Sequence, residues 1–281
     1  SKIVEALSAF HEALEAHKEP INRLNVYPVP DGDTGTNMYL TVGSVIEELE
    51  GVESEDRQAV CEAISHGSLM GARGNSGVIL SQVLRGMSDC FSRSENIDSE
   101  LLTEALTESS ISADGAVMKP VEGTILTVVR ESARSAMKAK QSGSITAVIE
   151  EALAGGEIAL EKTPEQLEVL REAGVVDAGG AGFLLLLNAF LHVLDGRDLP
   201  SPPDVSQVAN ATDNSPGESQ IADLRYEVMY LLNAPDEAMD EFKRVWAGLG
   251  DSIVVVGGDG LWNCHIHTDD IGPTIEAAIE I

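Results

Sequence analysis

Residues 25–38 read Asn25-Val-Tyr-Pro-Val-Pro-Asp31-Gly-Asp33-Thr-Gly-Thr-Asn-Met38. Pro28 and Pro30 hold the backbone extended and keep it out of the helical region. Asp31 and Asp33 then set two carboxylates two residues apart, and Gly32 and Gly35 free the backbone to turn. A helix with apolar positions Met38, Val42, Val45, Ile46 and Leu49 follows directly. Two neighbouring acids repel unless a cation lies between them, and a hard divalent ion is the usual occupant. A helix start offers free backbone N–H groups and partial positive charge, which suit a phosphate. The stretch therefore reads as a metal–nucleotide site, with Asp-Gly and Thr-Gly turn chemistry as the plainer alternative. An EF-hand is excluded, because positions six and twelve counted from Asp31 are Thr36 and Val42 rather than Gly and Glu.

The 281 residues are 43% hydrophobic, enough for one large domain or a large and a small one. Eighteen basic against 47 acidic residues give a formal charge of −29, which argues against nucleic acid and anionic membranes as partners. Cys61, Cys90 and Cys264 form no CxxC pair and are odd in number, so a reducing, cytoplasmic setting is expected. No signal peptide is apparent. The longest apolar run, 183–194, is interrupted by Asn188 and His192 and is short for a bilayer.

From residue 1 to about 199 the pattern is helix after helix, and the region reads as all-α. The first helix is expected to stop at Pro20, and others are expected near 36–50, 56–71, 76–92, 98–114, 124–141, 144–162, 164–173 and 180–194. Thr163-Pro164 is a cap followed by proline at the first helical position. Four of the helices are preceded by loops rich in Gly, Asp, Ser and Thr. These contain Thr34, Gly35, Thr36 and Asn37; Gly74, Asn75, Ser76 and Gly77; Thr124 within Lys119-Pro-Val-Glu-Gly-Thr124; and Asp177 within Asp177-Ala-Gly-Gly-Ala-Gly182. Such loops let backbone N–H groups approach a ligand closely, although short polar turns in a bundle look similar. A shared pocket is expected if alternate helices bring the four to one end. No GxxxxGK[ST], GxSxG, GxGxxG or HExxH motif occurs.

Residues 200–220 are rich in Pro, Ser, Asn and Gly without apolar period and read as a linker. From 221 the pattern turns to strands. Strands are expected at 224–232, 252–257 and 261–268, and helices at 236–248 and from Thr274, with Asp259-Gly260 as a hairpin turn. The order β-α-β-β-α suits a ferredoxin-type split βαβ unit lacking its last strand, so the chain is expected to continue beyond residue 281.

Taken together, residues 25–38, 71–77, 119–124 and 177–182 resemble the nucleotide-binding L domain of dihydroxyacetone kinase. Within that group they are most similar to the ATP-binding subunit of bacterial fatty acid kinases, over roughly residues 5–195. The resemblance implies an antiparallel barrel of about eight helices holding ATP and two magnesium ions at its open end. Asp31 and Asp33 match magnesium-holding aspartates, and the third such position falls on Asn25, which offers only a neutral oxygen. Thr34, Gly35, Thr36 and Asn37, with Gly74, Asn75, Ser76 and Gly77, match phosphate-contacting loops, while Thr124 and Asp177 match loops nearer the nucleoside. The implied reaction is phosphoryl transfer from ATP to a fatty acid carboxylate presented by a DegV-like fatty-acid-binding protein. A glycerone (dihydroxyacetone) kinase and a non-catalytic nucleotide-sensing module stand as alternatives, and a homodimer is left open.

His265-Ile-His267 matches a His-x-His strand in the middle domain of the same kinase family. In a strand both imidazoles share a face while Cys264 points away. The resemblance places a cysteine third ligand where this chain has Glu227, so a His265–His267–Glu227 zinc site, a partner-docking patch without metal and a plain polar surface all remain readings.

Overall fold

The computed structural model describes residues 1–94, 96–203 and 224–281. Its N-terminal part, among the described residues, contains eight long helices: α1 (Lys2–Leu24), α2 (Thr34–Leu49), α3 (Arg57–Gly71), α4 (Gly74–Phe91), α5 (Ser99–Ala116), α6 (Ile125–Ala136), α7 (Ile145–Glu161) and α10 (Ala178–Asp195). Two short helices, α8 (Thr163–Gln166) and α9 (Glu168–Ala173), lie between the last two. Each long helix packs on the one before it, and α10 returns to pack on α1, closing a ring. Short connections make sequential neighbours antiparallel. The starts of α2, α4, α6 and α10 therefore gather at one end of the barrel, as the expected shared pocket requires.

Apolar faces fill the ring: Phe10 and Leu14 on α1, Met38 and Val42 on α2, Leu80 and Val83 on α4, and Leu186 and Leu187 on α10 are all fully buried. Helix α10 is long and apolar enough by composition to cross a membrane, at a mean hydropathy of 1.5, but 61% of it is buried against the other helices.

Three helix boundaries differ from expectation. Helix α1 does not stop at Pro20 but runs on to Leu24 with that proline inside it. Interior proline costs about 3 kcal/mol or more, and here burial of Pro20 and Ile21 offsets it. The extra turn also carries Asn22, whose side chain holds the start of α2. The helix expected at 164–173 is broken at Leu167, which is extended and divides α8 from α9. The helix expected to reach 141 ends at Ala136, with a 3-10 turn at Met137–Ala139.

The expected linker lies, beyond residue 203, outside the described residues. The C-terminal part contains β1 (Tyr226–Asn233), α11 (Met239–Trp246), β2 (Asp251–Gly258), β3 (Leu261–Thr268) and α12 (Ile271–Ile279). The sheet order is β1-β3-β2 with both pairings antiparallel, as a split βαβ unit requires. Asp259 and Gly260, with φ of 51° and 85°, make the β2–β3 turn, whose two positive φ values match the right-handed twist of a hairpin.

Alternation gives this sheet two different faces. Val228, Ile253, Val255, Cys264 and Ile266 pack with Phe242 and Trp246 into the small unit's own core. Val254 and Val256 on the other face pack on Ala72, Val78 and Ala116 of the barrel. Val117, just past α5, forms an antiparallel bridge with Val254, and Met118 N–H donates to the Ile253 carbonyl at 3.4 Å. Arg85 donates to the Gly257 carbonyl at 2.5 Å and Asn263 to the Leu69 carbonyl at 2.9 Å. The sheet thus covers the barrel end where α2, α4, α6 and α10 begin.

Candidate functional site

Between the barrel end and the sheet lies a cavity of about 300 Å³, lined by the starts of α2, α4, α6 and α10 and by one face of the sheet. Its size is at the lower end for small-molecule sites. Of the residues singled out in the sequence, Asn25, Asp31, Asp33, Thr34, Asn37, Gly74, Asn75, Ser76, Thr124, Asp177, Glu227, His265 and His267 all line it.

Gly35, Thr36 and Gly77 sit behind the wall instead. A Cβ on Gly35 would lie 2.4 Å from the Lys18 carbonyl, so glycine there lets α2 cross close to α1. Thr36 is held by Asn22, which accepts from its N–H at 3.1 Å and donates to its hydroxyl at 3.0 Å. Gly77 packs on Thr41.

The barrel caps its helices unevenly. At the end away from the cavity, Asp56 accepts from Ala59 N–H, Asp98 from Glu100 and Leu101 N–H, and Ser144 from Ala147 N–H, which caps α3, α5 and α7. At the cavity end the residues before α2, α4 and α6, namely Asp33, Arg73 and Thr124, make no side-chain cap. A first turn without a cap from its own N-terminal residue leaves N–H donors and the positive end of the helix dipole for a ligand, apart from those that other elements take, as Asn22 takes the Thr36 N–H of α2 and Asp177 the Ile125 N–H of α6. The fourth start, α10, differs: Asp177 accepts from Gly180 N–H at 2.7 Å and is buried. Burial pushes its carboxyl up to about 7. The Asp177 side chain is thus already engaged as a helix cap where it meets the cavity.

Asn75 Oδ1, also at this wall, is buried without a hydrogen-bond partner. Gly74 reaches its position through a φ of 55°, and a Cβ there would lie 2.3 Å from Asn37 Nδ2. Glycine is thus required on both conformational and steric grounds.

Asn25 Nδ2 donates to Asp31 Oδ1 at 2.5 Å and to the Val29 carbonyl at 3.2 Å. Its amide nitrogen therefore fixes Asp31, leaving its oxygen as the group able to face a metal. Asp31 is pushed up to about 7, first by burial and then by the hydrogen bond and charge of Asp33 beside it. Among the described residues no three His, Cys, Asp or Glu side chains converge as a metal cage. Magnesium does not need one, since one or two carboxylates plus substrate phosphates usually suffice. The pair Asp31 and Asp33 fits that ion.

Zinc asks for more. Glu227 and His267 are opposite each other in the β1–β3 register, and Met229 is opposite His265. Glu227 Oε1 lies 3.2 Å from His265 Nδ1, and Nε2 of the fully buried His265 has no hydrogen-bond partner. The neighbouring His265 holds the Glu227 carboxyl below the usual range. Burial, and then His265, push His267 down against the opposing pull of Glu227, Asp33 and Asp251. These side chains share a wall with Asp31 and Asp33; two nitrogens and a carboxylate are near one another without closing round a common point.

Four residues at or behind this wall carry no mark of their own in the sequence: Asn22, Tyr27, Lys119 and Asp251. Lys119, within one of the four Gly-rich loops, pairs with Asp251 at 3.6 Å. Nothing local distinguishes Asn22 or Asp251, because their roles depend on packing between elements distant in sequence.

Comparison with known proteins gives the family. Residues 28–192 match the DAK2 domain, and residues 223–281 match the FakA-like middle domain of fatty acid kinases. Protein YloV of Bacillus subtilis (strain 168) is 38% identical over 286 aligned residues, covering 98% of this chain and 52% of that protein. Uncharacterized protein SH1689 of Staphylococcus haemolyticus is 38% identical over 269 residues, covering 92% and 49%. Uncharacterized protein SAUSA300_1119 of Staphylococcus aureus (strain USA300) is 38% identical over 266 residues, covering 91% and 48%. The chain spans about half the length of these curated relatives.

Proposed function

Because the chain belongs to the DAK2 domain family and carries a FakA-like middle domain of the fatty acid kinase type, we propose that it binds magnesium–ATP in the cavity between barrel and sheet and transfers the terminal phosphoryl group to a fatty acid carboxylate. The observation that carries the nucleotide part is the uneven capping: Asp33, Arg73 and Thr124, the residues before α2, α4 and α6, make no cap of their own beside the two carboxylates, whereas α3, α5 and α7 are capped by the residues before them at the far end.

Magnesium, when bound, supplies charge neutralisation for the phosphates and is held by Asp31 and Asp33, with the Asn25 oxygen as a third donor. Asn25 also orients Asp31 through its amide nitrogen. Backbone N–H groups at the starts of α2 and α4 meet phosphate oxygens, and the partnerless Asn75 Oδ1 faces a donor on the bound molecule. The sheet face excludes water from the reacting end.

The acceptor carboxylate is itself the nucleophile and has no proton to lose. The pathway therefore needs no general base and no covalent protein intermediate, only alignment and electrostatic support. One oxygen of the carboxylate forms the new O–P bond as the bond to the leaving diphosphate breaks, giving acyl phosphate and ADP. The fatty acid is presented by a separate DegV-like protein. A secondary proposal is zinc at Glu227, His265 and His267, supported by the partnerless Nε2 of His265 beside Glu227 and tested by the zinc content of the protein and of its His267→Ala variant.

ATP consumption with and without a fatty-acid-loaded partner tests the reaction. Turnover only with the loaded partner is expected, and turnover independent of fatty acid contradicts the acceptor.

A further inference from the structure

Charge is unevenly placed around the cavity. Asp31, Asp33, Asp177, Glu227 and Asp251 all line it, and Lys119 is the one lysine or arginine among the described residues that do. A nucleoside triphosphate brings several further negative charges into this acidic wall. Metal held by Asp31 and Asp33 offsets part of that charge. Lys119 lies in the same neighbourhood through its partner Asp251, since His267 feels both Asp33 and Asp251.

The segment carrying Lys119 is unusually well anchored. Val117 is bridged to Val254 and Met118 N–H is bonded to the Ile253 carbonyl, so the backbone entering Lys119 is tied to β2. Five residues on, Thr124 immediately precedes α6 at the cavity, its hydroxyl donating to the Val121 carbonyl at 2.8 Å. The side chain is by contrast loosely held. Lys119 Nζ lies 3.6 Å from Asp251 Oδ2, with side-chain exposures of 72% and 42%. An exposed pair at that distance is weak and readily exchanged for a better acceptor. A phosphate oxygen is one, because charge-assisted bonds to phosphate are among the stronger contacts a lysine makes.

We propose that Lys119 is a positioning residue for the terminal phosphate of the bound nucleotide, parked on Asp251 until that phosphate arrives. This rests on the nucleotide reading above and adds to it a device for telling the triphosphate from the diphosphate. Asp251 has a matching part: it sits on β2 opposite His267 in the sheet register, so the resting contact joins barrel and sheet, and the triphosphate takes Lys119 away from the sheet. ADP has no terminal phosphate for Lys119 to meet and leaves it on Asp251.

The test is calorimetric titration of the full chain with ATP and with ADP, each with magnesium, for wild type, Lys119→Met, Lys119→Arg and Asp251→Asn, with thermal unfolding to verify folding. Loss of one charge-assisted contact to the terminal phosphate weakens ATP in Lys119→Met by about tenfold or more while ADP changes by less than about twofold. Lys119→Arg recovers most of the ATP affinity, and Asp251→Asn, which frees Lys119, binds ATP at least as tightly as wild type. If Lys119→Met does not fold, Lys119→Gln takes its place. Equal losses for ATP and ADP, or no loss in a wild type that binds, overturn the role of Lys119 alone. A wild type that binds neither nucleotide overturns the nucleotide reading beneath it as well.

Discussion

Asn22 clasps Thr36 from both sides: its Oδ1 accepts from the Thr36 N–H at 3.1 Å, and its Nδ2 donates to the Thr36 hydroxyl at 3.0 Å. The pair ties the last turn of α1 to the first turn of α2, directly behind Asp31 and Asp33. It exists only because α1 continues past Pro20.

Replacing Asn22 with Ala removes both bonds and leaves the half-buried Thr36 N–H dependent on water. A loss of about 1–3 kcal/mol in unfolding free energy is expected. Urea denaturation measures it, and nucleotide affinity falls in the same variant because the α2 start is no longer fixed.

Gly74→Ala places a Cβ 2.3 Å from Asn37 Nδ2 at a residue with φ of 55°. The left-handed backbone alone costs about 1–2 kcal/mol, and relieving the clash displaces Asn37 from the cavity wall. Expected are a lower thermal midpoint and weakened nucleotide binding. The same substitution at Gly174 (φ 69°), which meets no atom within 4 Å, serves as the backbone-only control and leaves nucleotide binding intact.

Asp177 sets a pH dependence. Its folded carboxyl titrates at about 7, raised from 3.8 first by burial. Between those values the folded chain holds a proton that the unfolded chain has released. The contribution of Asp177 is therefore fully present below about pH 4 and is lost as pH rises toward and through 7. Its full span is roughly 4 kcal/mol. Asp177→Asn keeps an oxygen for the Gly180 N–H but cannot titrate. The difference in stability between wild type and variant is expected to move against wild type as pH rises from 4 to 8, measured by denaturation at fixed ionic strength.

Much of this was legible in residues 25–38 and in the helix periods. The eight-helix barrel followed by a β-α-β-β-α unit stands as read, and so does the gathering of four loops at one end, because both follow from apolar spacing and short turns. The capping asymmetry was not legible: Asp33 and Thr124 are as good cap types as Asp56, Asp98 and Ser144, and only the structure shows that they make no cap bond. What else failed to show was long-range. Proline argued for an end to α1 at residue 20, and only the packing of Ile21 and the clasp of Asn22 carry the helix onward. The period at 164–173 could not reveal Leu167 opening out between α8 and α9. Alternation placed His265 and His267 on one strand face, but that this face closes the cavity of Asp31 and Asp33 depends on docking through Val117 and Val254.

The central claim is that Asp31 and Asp33 hold magnesium for a nucleotide at the starts of α2 and α4. Asp33 makes no cap bond to α2, so Asp33→Asn removes a charge without removing a helix cap and is expected to leave helicity and thermal midpoint close to wild type. Calorimetric titration with ATP, with magnesium and with a chelator, for wild type and Asp33→Asn, tests the claim most directly. Saturable binding by wild type that requires magnesium and is lost in Asp33→Asn is expected. Binding of equal strength in the variant or in chelator, or none by wild type with magnesium, would contradict the claim.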